Sequence, residues 1–145
     1  MKALVQRVSR AAVRVDGATT GAIGPGLLVL LGVGHGDDEA TADRLAAKLR
    51  ALRIFPDADG RMNEPLGDRE VLCVSQFTLM ADTRRGNRPS FVDAAEPERA
   101  NALYERVCDA LGAQRGVFGA HMEVELVNDG PVTILVEVAS APHGT

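Results

Sequence analysis

Five consecutive residues bring together side chains that could do chemistry: Ser75-Gln76-Phe77-Thr78-Leu79 places two hydroxyls and a carboxamide at the end of an apolar run. Binding and catalytic residues are often found where a strand gives way to a loop. Ser75 and Thr78 could equally end the strand through local hydrogen bonds, which is the simpler interpretation of this segment alone. A threonine hydroxyl attacks as a nucleophile only with a base nearby, and the sequence shows none beside Thr78.

A second group of candidates is cationic. Arg84, Arg85 and Arg88 lie close together in the segment 81–91 of a chain whose formal net charge is -4. Because the whole chain is acidic, it is unsuited to grip nucleic acid by bulk electrostatic attraction, so any RNA contact must be local. The segment therefore predicts either a local phosphate contact or a solvated loop.

The third candidate is the segment Asn128-Asp129-Gly130-Pro131, which separates two β-rich runs. Asp-Gly in such a position is typical of a hairpin turn. Pro131 complicates that interpretation because proline cannot donate a ladder hydrogen bond at the start of the last strand. An X-Pro bond is cis in about 5–6% of cases, and a cis bond here would point two backbone carbonyls the same way.

Other motifs with known chemistry are missing from the sequence. The glycines of segment 32–36 lack the GxGxxG and GK[ST] spacings, which favours a simple strand-to-helix turn over a nucleotide-binding loop. His35, His121 and His143 are far apart and none lies in HExxH, so we expect structural or solvent-exposed histidines and no metal site. No serine lies in a G-x-S-x-G elbow. We expect neither a metal nor a cofactor.

Two helices are predicted to position these candidates. Asp37 or Asp38 can cap the first helix. The second helix is predicted to begin near Pro97 and to end at Gly112. The apolar residues at helical spacing are Ala42, Leu45, Ala46, Leu49 and Leu52 in the first helix and Ala100, Leu103, Tyr104, Val107 and Leu111 in the second.

The remaining segments predict strands. Alternating or continuous apolar residues favour a β-meander at the beginning of the chain and a central strand covered on both faces soon after it. The predicted segments are 2–8, 11–15, 19–23, 27–33 (the central strand), 53–55, 70–79, 122–126 and 132–138.

Length and composition are typical of one globular domain covering residues 1–145, with 46% hydrophobic and 25% charged residues. Strands outnumber helices without alternating regularly with them, which favours an α+β fold with mostly antiparallel pairing. Cys73 and Cys108 lie in no CxxC motif, so we expect reduced core thiols. The sequence shows no secretory signal and no apolar run of ~18 residues, so we expect a soluble cytoplasmic protein with no membrane contact.

Several motifs, in order along nearly the whole chain, resemble the D-aminoacyl-tRNA deacylase family. SQFTL and NDGPVT are the signature motifs of that family. The matching segments are QRV with Arg7, GLLVLLGV, RIF followed by MN, VSQFTL, RPSF, LYE, FGA followed by Met122, and VNDGPVT.

The resemblance implies a homodimer of single-domain α+β subunits, each with a mostly antiparallel β-barrel-like sheet and two main helices. It implies hydrolysis of the ester in tRNA charged with a D-amino acid, and also of glycyl-tRNA, without metal or cofactor. Catalysis would involve Ser75, Gln76, Phe77 and Thr78, while the terminal ribose 2′-hydroxyl assists the attacking water.

By the same resemblance, Gly130 and Pro131 would form a cis motif that reaches the partner subunit's pocket and excludes L-amino acids. Arg7 would fix that motif. For a substrate that is a tRNA, the local phosphate contact predicted above for Arg84, Arg85 and Arg88 would be a contact with the tRNA. Two features depart from the family pattern. The stretch 64–69 is short, and His121 stands where an acidic residue is commoner.

Two rival functions remain open at this point. One is hydrolysis of small D-amino-acid esters or peptides, which would not need the arginines of segment 81–91. The other is a catalytically silent RNA-binding or replication-associated factor, which would bind tRNA without deacylating it.

Overall fold

A barrel-like sheet with two helices packed against it forms the fold. The computed structural model describes residues 1–140. The elements are β1 Lys2–Val15, β2 Ala18–Ile23, β3 Gly26–Gly32, α1 Glu39–Ala51, β4 Phe55–Pro56, β5 Met62–Glu64, β6 Glu70–Ser75, a 3-10 helix Phe77–Met80, α2 Pro97–Leu111, β7 Gln114–Arg115 and β8 Glu123–Glu137.

The long strand β1 organises the sheet. Its first half pairs with β3 and its second half with β2, both antiparallel. Strand β8 runs antiparallel along the opposite edge of β1 for nearly its whole length. The predicted segments 2–8 and 11–15 are therefore one strand and not two arms of a meander. Ser9 and Arg10, both exposed, interrupt the alternation of apolar residues in the sequence, but pairing with β8 resumes at Arg10 after a register shift at Ser9.

The other half of the sheet is parallel and curves back toward β2. Strand β3 is central, as predicted, and lies between β1 and β6. Strands β6 and β7 continue the sheet with parallel pairing. The backbone N–H of Ala22 in β2 donates to the Gln114 side chain in β7 at 3.3 Å, so the two outer strands approach each other. The α+β, barrel-like fold expected from the sequence is confirmed.

Both helices agree with their sequence patterns. Asp38 is the N-cap of α1, and its carboxylate accepts from the backbone N–H of Thr41 at 2.9 Å. Asp37, the other candidate cap, is buried and instead pairs with the Met1 ammonium at 2.9 Å. Pro97 occupies the first turn of α2, and Gly112 closes it in the left-handed conformation at φ 59°. Among residues 1–140, no helix is long and apolar enough to cross a membrane.

Two apolar clusters hold these layers together. The larger one lies between the sheet and the helices, and it includes the predicted stripes of α1 and α2 together with the free thiols of Cys73 and Cys108. The smaller one fills the inside of the barrel and is centred on Val8, Val13 and Leu72. The sheet is therefore buried on both faces, which explains the continuous apolar run of its central strand.

Two strand predictions near the candidate residues were wrong in extent. The strand predicted for 70–79 ends at Ser75, because β3 ends beside it at Gly32 and no ladder partner continues. The backbone then turns into the 3-10 helix. The segments 122–126 and 132–138 are joined in the single strand β8, so the segment 128–131 is not a hairpin turn. Asn128 pairs with Val8 and Thr133 pairs with Gln6 on β1, and residues 129–132 between them bulge out.

Candidate functional site

A cavity of about 490 Å³ opens where β6 ends. The floor is mainly apolar, and the polar lining side chains come from the end of β6 and from the loop before β8. A largely apolar pocket with a few convergent polar groups is the usual form of a small-molecule site. The lining residues are Val33, Val74, Ser75, Gln76, Phe77, Ala94, Ala95, Pro97, Ala100, Phe118, Gly119, Ala120, His121, Met122 and Val124.

The structure brings Ser75, Gln76 and Phe77 to this cavity, whereas the fourth predicted catalytic residue, Thr78, is not among the lining residues. Ser75 is the last residue of β6 and pairs with Leu31. Within the described chain the Ser75 side chain makes no hydrogen bond. Its hydroxyl therefore does not end the strand through a local hydrogen bond, which was the simpler interpretation of the sequence. The backbone N–H of Gln76 donates to the Leu31 carbonyl at 2.8 Å, which fixes the end of the strand. The Gln76 side-chain amide donates to the Thr78 hydroxyl at 2.5 Å.

The 3-10 helix leaves two backbone donors beside these side chains. Its first helical hydrogen bond runs from the Leu79 N–H to the Gln76 carbonyl at 3.2 Å. The N–H groups of Phe77 and Thr78 precede that bond, and the first N–H groups of a helix have no partner inside it. Backbone donors at such a position can stabilise an oxyanion that forms beside them.

His121 is the only ionisable side chain among the described residues that line the cavity. It is exposed and comes from the segment 118–122, which sequence reasoning included in the family resemblance but not among the site residues. Phe118 and Met122 contribute apolar surface to the same wall. The matching FGA motif was the signal that could have assigned this wall, because the segment has no catalytic residue pattern of its own.

Gly130 and Pro131 lie at the exposed bulge of β8, and the bond between them is cis. Arg7 holds this bulge from β1. Its guanidinium donates to the Asp129 carbonyl at 2.8 Å and to the Ile54 carbonyl at 2.7 Å. Only 13% of the Arg7 side chain is exposed, so it is not an ordinary surface arginine.

Glycine is required at position 130 for two structural reasons. Its φ is +143°, a conformation that other L-residues rarely adopt. A Cβ atom there would lie 2.8 Å from the Val132 side chain and 3.1 Å from the Arg7 guanidinium. The bulge is thus closely fitted to the arginine that holds it.

Within one chain, the two signature motifs do not meet. Arg7 pairs with Leu27 on β3, and Leu27 pairs with Val71 on β6. Ser75 lies four residues beyond Val71, an offset of roughly 13 Å along the strands. Strands β1 and β3 also lie between β8 and β6. Among the described residues, the cavity lining includes none of 128–131.

The arginine loop, residues 83–89, is exposed and follows shortly after the 3-10 helix that borders the cavity. Asp82 and Ser90 exchange two backbone hydrogen bonds, of 2.7 and 2.9 Å, which close the loop at its base. Arg84 folds back on Asp82 with contacts of 2.9 and 2.7 Å, and this guanidinium lowers the pKa of the Asp82 carboxyl to about 2. Arg85 and Arg88 are exposed and have no side-chain partner within residues 1–140.

The amino-acid sequence matches the family model described as D-Tyr-tRNA(Tyr) deacylase over residues 4–137. The chain belongs to this family. The chain is 62% identical over 144 residues to the D-aminoacyl-tRNA deacylase of Anaeromyxobacter dehalogenans (strain 2CP-C), covering 94% of this chain and 97% of that one. It is 57% identical over 145 residues to that of Deinococcus radiodurans, covering 95% and 100% of the two chains. The resemblance drawn from the motifs is confirmed.

Solved structures share the deacylase fold. A protein described as c-Myc DNA Unwinding Element Binding Protein superposes with a TM-score of 0.90 at 40% identity, covering 96% of this chain and 99% of the other. A probable eukaryotic D-amino acid tRNA deacylase superposes with a TM-score of 0.79, covering 93% and 97% of the two chains. The second pair is 16% identical and supports the fold alone.

Proposed function

We propose that this protein hydrolyses the ester bond of D-aminoacyl-tRNA and releases free tRNA and the D-amino acid. The observation that carries the proposal is the cavity at the end of β6, which Ser75, Gln76 and Phe77 line at the start of the 3-10 helix, in a chain of the deacylase family. The relatives named above are D-aminoacyl-tRNA deacylases. In this scheme the reaction takes place in the cytoplasm, as a proofreading step of translation.

The groups in the cavity suit the chemistry of an ester. Ser75 and Gln76 orient the carbonyl, and the N–H groups of Phe77 and Thr78 stabilise the oxyanion that forms as water attacks. Gln76 already donates to the Thr78 hydroxyl, so Thr78 takes a positioning role in this scheme and not that of a nucleophile. An ester is an activated bond, and positioning with oxyanion stabilisation can supply much of the acceleration. The terminal ribose 2′-hydroxyl assists the attacking water.

A second copy of the chain completes the site in this proposal. The Gly130-Pro131 bulge is about 13 Å along the strands from Ser75 in its own chain, and it lies on an exposed edge. Within the described chain β8 pairs only with β1, which leaves its other edge unpaired. Long unpaired edges with exposed apolar side chains, here Val127 and Leu135, are suited to association with another chain. Homodimerisation would bring one bulge to the partner's cavity.

The backbone of this bulge distinguishes D-amino acids from L-amino acids. Held by Arg7, the Gly130-Pro131 segment offers a fixed steric surface against the side chain of an L-amino acid. A rigid block against the wrong enantiomer discriminates better than an additional favourable contact. Glycine has no side chain to exclude, so glycyl-tRNA is also a substrate in this scheme.

The first experiment measures amino-acid release from matched D-tyrosyl-tRNA and L-tyrosyl-tRNA by the chelator-treated protein. The wild type should cleave the D ester only, Gly130→Ala should lose nearly all of that activity, and Pro131→Ala should weaken it. Gly112→Ala is the matched control, because Gly112 also has a positive φ but a Cβ there meets nothing within 4 Å. If the wild type cleaves neither ester, the deacylase proposal is wrong.

Subunit mixing tests the shared site. Gly130→Ala and Gln76→Ala should each be nearly inactive alone. In a two-fold dimer, random mixing of these variants gives about 25% of wild-type activity, because each mixed dimer regenerates one complete site. No recovery after verified exchange, or full activity of a monomer in sedimentation, would refute the cross-subunit arrangement.

The solved structure described as a DNA-element-binding protein supports one alternative, nucleic-acid binding without hydrolysis. Retention of tRNA without release of amino acid in the first experiment would favour it. A third possibility, hydrolysis of small D-amino-acid esters, predicts equal turnover of D-tyrosine ethyl ester by the wild type and by an Arg85→Ala/Arg88→Ala variant. It also predicts no advantage for the tRNA ester.

A further inference from the structure

Two phenylalanines form an exposed aromatic pair at the rim of the cavity. The Phe77 and Phe91 ring centroids are 5.0 Å apart and the rings meet edge to face at 70°. Phe77 is 56% exposed and Phe91 is 37% exposed. An edge-to-face pair leaves ring faces open to a third ring. Two large apolar rings that are exposed side by side mark a binding surface more than a core.

Phe91 is held in place by its backbone and not by burial. Ser90, directly before it, is paired with Asp82 at the base of the arginine loop. On the other side, the Ala94 N–H donates to the Phe91 carbonyl at 3.0 Å, and the His35 ring is hydrogen-bonded to the Val92 carbonyl at 2.6 Å. The ring is therefore presented to solvent from a fixed turn. Preorganisation of this kind lowers the cost of binding.

The charge next to the pair indicates the chemistry of the ligand. The loop 83–89 carries three arginines and no acidic residue in a chain of net charge -4. Arg84 is neutralised by Asp82, whereas Arg85 and Arg88 remain available. Cationic side chains beside exposed aromatic rings are the usual combination for single-stranded nucleic acid, in which phosphates pair with cations and bases stack.

We propose that Phe77 and Phe91 form a stacking platform for the nucleobase next to the ester-bearing nucleotide, while Arg85 and Arg88 contact its phosphates. This inference rests on the proposed function, because it assumes that the ester lies in the cavity. The last nucleotides of a single-stranded 3′ end then lie along the protein surface from the arginine loop over Phe91 and Phe77 to Gln76. The neighbour of the terminal nucleotide meets the rim as the terminal one enters the cavity.

A series of ester substrates of increasing nucleotide length tests the stacking platform. D-Tyrosyl esters of adenosine, of the dinucleotide CpA and of whole tRNA are compared by kcat/KM. For the wild type, kcat/KM for the CpA ester divided by kcat/KM for the adenosine ester should be roughly 5 to 150, as expected for one stacked base. Phe91→Leu should bring this ratio close to unity, and Phe91→Tyr should keep it. Val92→Ala is the matched control, since that exposed neighbour lies outside the ring pair.

A binding measurement gives a readout that does not depend on turnover. A non-hydrolysable amide analogue with 2-aminopurine in the penultimate position should lose fluorescence on binding to the wild type and to Phe91→Tyr, but not to Phe91→Leu. An unchanged ratio and unchanged quenching in Phe91→Leu would overturn the platform, while cleavage of the D esters by the wild type would leave the proposed function standing. If Phe91→Leu lowers kcat/KM for D-tyrosyl esters but not for D-alanyl esters, the rings contact the side chain of the amino acid and not a nucleobase, which would overturn the platform. Dissociation of the Phe91→Leu dimer in sedimentation would also overturn the proposal, because the rings would then belong to a subunit interface.

Discussion

Replacement of Arg7 tests how the Gly130-Pro131 bulge is held. Arg7→Ala removes the hydrogen bonds to the Ile54 carbonyl, which is partly buried, and to the Asp129 carbonyl, which is exposed. A hydrogen bond from a charged donor contributes about 1.5–3 kcal/mol, and the exposed one should lie at or below the lower end, so we expect a loss of about 3 kcal/mol. With an unfolding entropy of about 2.1 cal/mol/K per residue over 145 residues, the melting temperature should fall by about 10 °C.

Thermal unfolding and D-tyrosyl-tRNA turnover, each measured for three variants, check this reasoning. Arg7→Lys keeps the charge but cannot reach both carbonyls with a planar fork, so about half of the loss is expected. Turnover by both Arg7 variants should fall even well below their melting temperatures, because the bulge loses its fixed position. Arg10→Ala is the control: that side chain is 63% exposed and pairs with Glu125 at the surface, worth about 0–1 kcal/mol. Unchanged melting and unchanged turnover in Arg7→Ala would refute the assigned role.

Three further predictions concern the frame around the site. Gly26→Ala should prevent folding or cost more than about 3 kcal/mol in urea unfolding, because a Cβ would lie 1.8 Å from the Glu70 carbonyl, whereas Gly24→Ala, with only a 3.5 Å contact, should remain folded. The Asp82 carboxyl should titrate near its pKa of about 2 by NMR and return toward 3.8 in Arg84→Ala. The pKa of Asp82 is lower in the folded protein than in the unfolded chain. The ion pair between Asp82 and Arg84 therefore stabilises the fold fully at pH values above the unfolded-state pKa, and this stabilisation is lost as the pH falls through about 2. Tyr104→Phe should cost about 1–2 kcal/mol in urea unfolding, because the buried Cys73 carbonyl loses its 2.7 Å hydrogen bond, and equal midpoints would contradict this.

Local sequence patterns determined the regular elements of this protein. Helical spacing and end signals placed both helices, because an apolar stripe, a capping side chain and a C-terminal glycine act within a few residues of one another. The unbroken apolar run of β3 likewise indicated a strand covered on both faces. The motifs around Gln76 and Pro131 were sufficient to indicate the family, since each is a short contiguous string.

Non-local contacts decided the rest. The sequence could not show that strand pairing stops at Ser75, because that depends on where β3 ends, more than forty positions earlier in the chain. It could not show that β1 runs unbroken, or that residues 129–132 form a bulge, because both depend on the antiparallel pairing of β1 with β8.

The sequence by itself determined the α+β class, the helices, the family and the short segments that carry polar groups. Only the tertiary structure assembled the cavity from the end of β6 and the loop before β8, and only it placed the Arg7-held bulge away from that cavity. It also brought Phe91 against Phe77 beside the arginine loop. The physical reason is that helix and turn signals are local, whereas a cavity and a strand register arise from contacts between residues that are remote in the chain.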